Sequence, residues 1–233
     1  MNQSATIAVI IPALNEAGNI YALVTEVLAT APVKVIVVDN GSTDTTAAEA
    51  QAAGAQVVQE PRRGYGYACA AGVAAAAAGK LDILVFLDGD YSSLPEELPI
   101  ILAPILADEA DLVLGSRYQG HIAAGAMPLH QRFGNWLVAR LMNRLYGLSI
   151  TDLGPYRAIR GSLLISLDMQ EMTFGWPTEM MTKAARREAR VIEVPVSFHK
   201  RRMGRSKVSG TVRGTILATW YILGVTLRYA WGR

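Results

Sequence analysis

The stretch Leu81-Asp82-Ile83-Leu84-Val85-Phe86-Leu87-Asp88-Gly89-Asp90 decides how this chain reads. An apolar, β-branched run stops abruptly at two carboxylates that flank a glycine. Such a run reads as a strand buried on both faces, as in a parallel sheet. Open α/β sheets bind ligands at the carboxyl ends of their strands. In extended backbone, residues two apart point to the same side, so Asp88 and Asp90 can face one ion. Hard divalent cations take carboxylate oxygens and bridge readily to phosphates. Gly89 lets the backbone approach a ligand closely. Read alone, Asp-Gly-Asp serves equally well as a polar turn after a strand, so the flanking sequence has to decide.

Upstream, Thr6–Ile11, Val33–Val38 and Ala55–Gln59 are short apolar strands, and Asp111–Gly115 follows downstream. Helices fill the gaps: from Asn15 or Glu16 to about Ala29, from the N-cap chemistry of Ser42-Thr43-Asp44 to about Ala53, over the alanine-rich Tyr67–Ala78, and from Pro95. Alternating strands and helices predict an α/β fold with a mostly parallel sheet wrapped by helices on both faces. The second part is less regular. Gly120–Met127 reads as a flexible loop and Leu129–Tyr146 as a helix. The aromatic, aliphatic and arginine residues of that helix suit either a membrane interface or core packing with exposed arginines. Pro177–Arg187 reads as a helix and Val191–Phe198 as a last strand, which Pro195 directs to an edge or a bulge.

The chain has 233 residues, 51% of them hydrophobic, enough for one large α/β domain over residues 1–198 and an extension over 199–233. The net charge of +2 argues neither for nor against nucleic acid by itself, but no acid follows Glu193, whereas Lys200, Arg201, Arg202, Arg205, Lys207, Arg213, Arg228 and Arg233 do. That end calls for an anionic partner: a diphosphate, a lipid headgroup or nucleic acid. Cys69 is the single cysteine, which suits a reducing cytosol, and no signal-peptide pattern opens the chain. Gly214–Leu227 carries no charge; its 14 residues span about 21 Å as a helix, short of the roughly 30 Å hydrocarbon core. It is expected either to lie in a bilayer interface or to pack on the sheet or a second subunit.

Polar, turn-prone sequence follows four strands: Pro12-Ala13-Leu14-Asn15-Glu16, Asp39-Asn40-Gly41-Ser42-Thr43-Asp44, Arg62-Arg63-Gly64-Tyr65-Gly66 and Asp88-Gly89-Asp90. Together they suggest a nucleotide pocket, and here the sequence resembles a family 2 glycosyltransferase of the GT-A fold. Within that family it is similar to the dolichyl-phosphate mannose synthase-like branch, which moves a sugar from a nucleotide-sugar to a polyprenyl phosphate. The resemblance covers nearly the whole chain. Pro12, Asn15 and Glu16 match the Pro-x-x-Asn-Glu pattern; Val38, Asp39, Ser42 and Asp44 match Val-Asp-Asp-x-Ser-x-Asp, with Asn40 in place of the second acid. Asp88 and Asp90 match the DxD, Gly115-Ser116-Arg117 the Gly-Ser-Arg, and Tyr156-Arg157 a later Phe/Tyr-Arg element after Asp152. Phe198, Arg201, Gly204, Ser206 and Lys207 match Phe-x-x-Arg-x-x-Gly-x-Ser-Lys, the element that selects the branch. The sequence departs from the pattern at Tyr91-Ser92-Ser93 and lacks the Gln-x-x-Arg-Trp common in the family.

The resemblance implies Mg²⁺ or Mn²⁺ at Asp88 and Asp90, with Arg117 and Arg201 joining them in catalysis. It implies donor contacts at Pro12, Leu14, Glu16, Val38, Asp39, Asp88, Gly89, Asp90, Arg117, Arg201 and Lys207. Asp152, Tyr156, Arg157, Glu179 and Ser206 remain for the acceptor side, Asp152 and Glu179 as bases should the acceptor be a hydroxyl. Glu179 reads equally as an acid favoured by a helix N-terminus. The expected partners are a nucleotide-sugar, a polyprenyl phosphate and an anionic membrane surface reached peripherally from the cytoplasm, with no nucleic acid and with room for a homodimer. Two readings compete. Gly64-x-Gly66-x-x-x-Ala70 opening a helix is a weak dinucleotide signature, and a basic tail alone would serve a membrane adaptor.

Overall fold

The computed structural model describes residues 5–77, 82–204 and 212–231, the last segment with side chains from 220 to 230. Chain order runs β1 (Ile7–Ala13), α1 (Ile20–Thr30), β2 (Lys34–Asp39), α2 (Thr46–Ala52), β3 (Gln56–Gln59), α3 (Tyr65–Ala77) and β4 (Ile83–Phe86). A 3₁₀ turn (Pro95–Glu97) leads into α4 (Leu98–Leu106), then β5 (Leu112–Ile122), α5 (Leu129–Tyr146), β6 (Arg157–Arg160), α6 (Gly161–Leu167), α7 (Trp176–Arg186), β7 (Val191–Phe198) and α8 (Val212–Trp231). The seven strands form one sheet in the order β3-β2-β1-β4-β6-β5-β7. β1 to β4 are mutually parallel where they pair, and β5 runs parallel to β7.

Strand alternation sends successive side chains to opposite faces. Val9, Ile11, Val35, Val37 and Val85 pack with α1 and α4 on one side, while Ala8, Ile10, Ile36, Val38, Leu84 and Phe86 meet α3, α5, α6 and α7 on the other. The small residues of α3 let it lie close to the sheet: a Cβ at Gly72 would overlap Ile10. Pro195 lies on β7, the edge strand, where a missing N–H costs no ladder bond on the open side.

The sheet is mostly parallel, as expected, and β6, which the sequence reading did not assign, runs antiparallel between β4 and β5. Arg157-Ala-Ile-Arg160 has arginines at both ends and no apolar run, so it gives no strand signal. The Gly120–Met127 loop is partly strand: His121 and Ile122 pair with Ser197 and Phe198 beyond a register shift that starts at Ser116. α1 starts at Ile20, not at Asn15 or Glu16, because Asn15, Glu16 and Gly18 are tied to the loop after β2 and to α2.

Candidate active site

The chain passes from β1 sideways to β2 and β3, then returns to the other side of β1 as β4. The β1/β4 boundary is therefore the switch point at which such sheets open a crevice. The loops after β1, β2, β3 and β4 all leave from this edge, so the four polar stretches converge as their sequence suggests.

Hydrogen bonds lace the loops together. Ser42 Oγ accepts from Asn15 N at 2.9 Å, Thr46 Oγ1 from Glu16 N at 2.8 Å, and Glu49 from Gly18 N at 2.8 Å. Asn15 itself takes the left-handed conformation, φ 51°, which asparagine tolerates better than most residues. Asp39, buried at the end of β2, accepts from Ser42 N at 2.8 Å. Asn40 explains its departure from the family acid. Its Nδ2 donates to the carbonyls of Glu60 (2.9 Å) and Arg62 (2.7 Å), and its Oδ1 accepts from Gly64 N (3.0 Å). A carboxylate at this position would have no proton to donate to the two carbonyls.

The DxD turn lies against the β1 loop: a Cβ at Gly89 would be 3.3 Å from Pro12 O and 3.5 Å from Glu16 Cγ. Asp88 is half-buried by surface area, and its carboxyl is surrounded by protein. Burial, then the neighbouring Asp90, push its pKa up to about 6. Tyr65 at the start of α3 donates its hydroxyl to Asp88 Oδ1 at 3.3 Å. Asp90 accepts from Ser92 N at 3.0 Å and pairs through Oδ2 with Arg201 at 3.1 Å. Arg201 also reaches both carboxylate oxygens of Glu16 at 2.8 Å. The segment after β7 thus crosses the crevice, held further by Asn19 Nδ2 donating to Met203 O at 3.2 Å and His199 N donating to Ser92 O at 2.8 Å.

Arg117, at the same edge on β5, is bound bidentately by Asp152, Nε at 2.7 Å and Nη2 at 2.6 Å. Burial alone would raise the Asp152 pKa; the bonds from Arg117 outweigh it and hold the carboxyl below its usual range. Asn135 of α5 braces the pair, accepting from Arg117 at 3.5 Å and from Leu153 N at 3.1 Å. The Arg117 guanidinium lies 4.9 Å from the centroid of the Phe198 ring.

Tyr156 and Arg157, expected together, part to opposite faces, as adjacent residues of an extended chain must. Tyr156 joins the core beside α1 and α4. Arg157 is 1% exposed, and donates to the carbonyls of Gly154 (3.0 Å), Pro177 (2.9 Å) and Leu153. Burial lowers its pKa to about 10. Glu179 is drawn into the structure rather than into the crevice. It accepts from Glu171 N (2.7 Å), Gln170 N (3.0 Å) and the Tyr229 hydroxyl (2.6 Å), and pairs with Lys183 at 2.8 Å. Leu14, Val38 and Pro12 lie on the β1 and β2 ends; Ser206 and Lys207 lie outside the described residues. Sequence reasoning missed Tyr65 as a partner of Asp88, although Gly64-Tyr65-Gly66 marked the turn, and it missed Asn135 and Asn19, for which no local pattern exists.

Asp88 and Asp90 could hold a divalent cation. Two carboxylates are forced together, one with a raised pKa, and a guanidinium already rests on the second, where positive charge is favoured. Among the described residues no cluster of three or more His, Cys, Asp or Glu side chains gathers to hold a metal. A cation here would therefore take its remaining oxygens from a bound diphosphate and water, as Mg²⁺ commonly does.

Known proteins resemble this chain in sequence and in fold. Residues 8–167 match the glycosyl transferase family 2 model. An uncharacterized glycosyltransferase of Mycobacterium tuberculosis is 39% identical over 214 residues, 91% of this chain and 94% of the relative. An undecaprenyl-phosphate mannosyltransferase of Micrococcus luteus is 32% identical over 208 residues, covering 84% of each chain. Among solved structures, glucosyl-3-phosphoglycerate synthase of Mycobacterium tuberculosis, crystallised with Mn²⁺, UDP and glucosyl-3-phosphoglycerate, superposes with a TM-score of 0.77 at 25% identity, over 97% of this chain and 80% of that one.

Proposed function

Because the chain belongs to glycosyl transferase family 2, we propose that it moves a hexose from a nucleotide-sugar to a polyprenyl phosphate, with inversion and with Mg²⁺ or Mn²⁺ at Asp88 and Asp90. When bound, the cation neutralises charge on the departing nucleoside diphosphate. Asp39, with Pro12, Leu14 and Val38 around it, faces the nucleoside. Glu16 fixes Arg201 at the crevice, from which its guanidinium can turn to a phosphate, a geometry it matches bidentately. Ser206 and Lys207 follow closely enough in sequence to serve the same phosphates.

One observation carries the acceptor reading: both carboxylates considered as bases are committed elsewhere. Asp152 is bound by Arg117 through both oxygens, and Glu179 by Lys183, Tyr229 and two backbone N–H groups. A hydroxyl acceptor needs a base, whereas a phosphate monoester, with a second pKa of about 6, arrives already ionised. The Micrococcus luteus relative, named for undecaprenyl phosphate, supports the same reading. A lipid-borne acceptor would be met at a membrane surface, which the chain would reach peripherally from the cytoplasmic side; among the described residues no helix is long and apolar enough to cross.

The glucosyl-3-phosphoglycerate synthase likeness favours a second reading, a soluble hydroxyl acceptor. The deciding experiment incubates UDP- and GDP-hexoses with Mg²⁺ or Mn²⁺ and either a short polyprenyl phosphate or phosphoglyceric acid. Label in the lipid product is expected; label only in the soluble product overturns the lipid reading.

A further inference from the structure

We infer that the outer face of α5, at its active-site half, is a contact surface for an anionic lipid bilayer; the inference rests on the lipid-acceptor reading above. α5 turns Asn135, Val138, Ala139 and Met142 inward. Outward it presents Leu129 (81% exposed), Phe133 (63%), Trp136 (50%) and Leu137 (40%). These positions recur at helical spacing, so they form one stripe. The Phe133 and Trp136 rings are 5.8 Å apart. A water-facing helix in a monomer has no use for such a stripe, and contiguous exposed apolar patches mark interaction sites.

Charge selects the occupant. From Leu112 to Thr151 the sequence has no acidic residue, while Arg132, Arg140 and Arg144 are exposed on α5 itself. The Arg140 guanidinium lies 5.8 Å from the Trp136 ring centroid. Aromatic rings flanked by arginines match the headgroup level of a bilayer that carries negative phosphates. A second copy docked through this face would set arginines against arginines.

Position gives the surface a purpose. Asn135, between Phe133 and Trp136 in sequence, points the other way and braces Arg117 and the loop at Leu153. The stripe is thus one helix-thickness from the guanidinium at the crevice edge. A headgroup-level phosphate on a lipid embedded beneath α5 would be brought to that side of the crevice.

The test is flotation of the full chain with vesicles of phosphatidylcholine and phosphatidylglycerol that contain no polyprenyl phosphate. Binding is expected, weakened at least tenfold by Phe133→Ser with Trp136→Ser, and similarly by Arg132→Glu with Arg140→Glu, a pair whose exposed sites keep the fold safe. Pure phosphatidylcholine should bind weakly. Unchanged melting temperature and nucleotide binding establish that the variants are folded. Wild-type binding in both folded variants overturns the inference, as does a solution dimer that either variant dissolves. Transfer to polyprenyl phosphate in detergent is scored separately, so a failed acceptor and a failed membrane surface give different results.

Discussion

At the scale of single residues, the crevice concentrates negative charge and places Arg201 against it. Glu16 and Asp90 both pair with this guanidinium, and burial, with Asp90 beside it, raises the pKa of Asp88 to about 6. Asp90→Asn removes one of the two carboxylates proposed to hold the cation. Loss of a single preorganised electrostatic group costs roughly 10²–10³-fold in rate, and transfer is expected to fall by about that factor with an unchanged circular dichroism spectrum. Arg201→Met should separate two roles. The donor-free protein is expected to bind Mn²⁺ more tightly, because an internal cation no longer competes for Asp90, while transfer declines. Titration followed by electron paramagnetic resonance checks this; Mn²⁺ affinity equal to or below wild type would count against the competition.

At the scale of elements, α8 is docked rather than trailing. Val225 and Thr226 are buried, Thr226 O accepts from the Tyr146 hydroxyl at 2.5 Å, and Tyr229 donates to buried Glu179. One side of the apolar end therefore packs on protein, although Trp220 remains 76% exposed. Glu179 also fixes the backbone at Gln170 and Glu171, and Met172 O accepts from Tyr67 N at 3.3 Å beside the Gly64–Gly66 turn. Hydrogen bonds to charged groups are worth about 1.5–3 kcal/mol, so Tyr229→Phe should lower stability by about that amount in urea denaturation and make the α8 end easier to cleave. At the opposite sheet edge, Asp111 joins β5 to β6 and β7 through Arg160 and Arg190. The Arg190 hydrogen bond lowers its pKa to about 2. A depressed carboxylate contributes stability above its unfolded pKa of about 3.9 and loses it as pH falls toward the folded value. Because water reaches this pair, the contribution should be only about 1 kcal/mol. Asp111→Asn should be destabilised by that amount at pH 7, with the gap closing between about pH 4 and pH 2.

At the scale of the molecule, one mixed sheet brings the proposed donor site to its β1/β4 switch point and sets Arg117 on β5 beyond it. A single displacement at the anomeric carbon needs no covalent enzyme intermediate, and with Asp152 and Glu179 engaged elsewhere neither is placed to supply one. An α-linked donor is therefore expected to give a β-linked product, read from the anomeric coupling constant; an α-linked product would require a nucleophile that this arrangement does not assign.

The sequence by itself determined the parallel half of the sheet, the convergence of four loops and the DxD, because apolar runs, glycine turns and acids at strand ends are local signals. It also directed Pro195 to an edge or a bulge, since a missing N–H is a local fact. The tertiary structure alone decided the rest. β6 exists only because β4 and β5 supply hydrogen-bond partners to a short segment with no apolar run. Asn40 replaces an acid because two carbonyls from a different loop need a donor. Asp152 and Glu179, chemically eligible as bases, are withdrawn from that role by an arginine 35 residues away and a tyrosine 50 residues away. A carboxylate's task depends on which donors the fold brings to it, and those donors are distant in the chain.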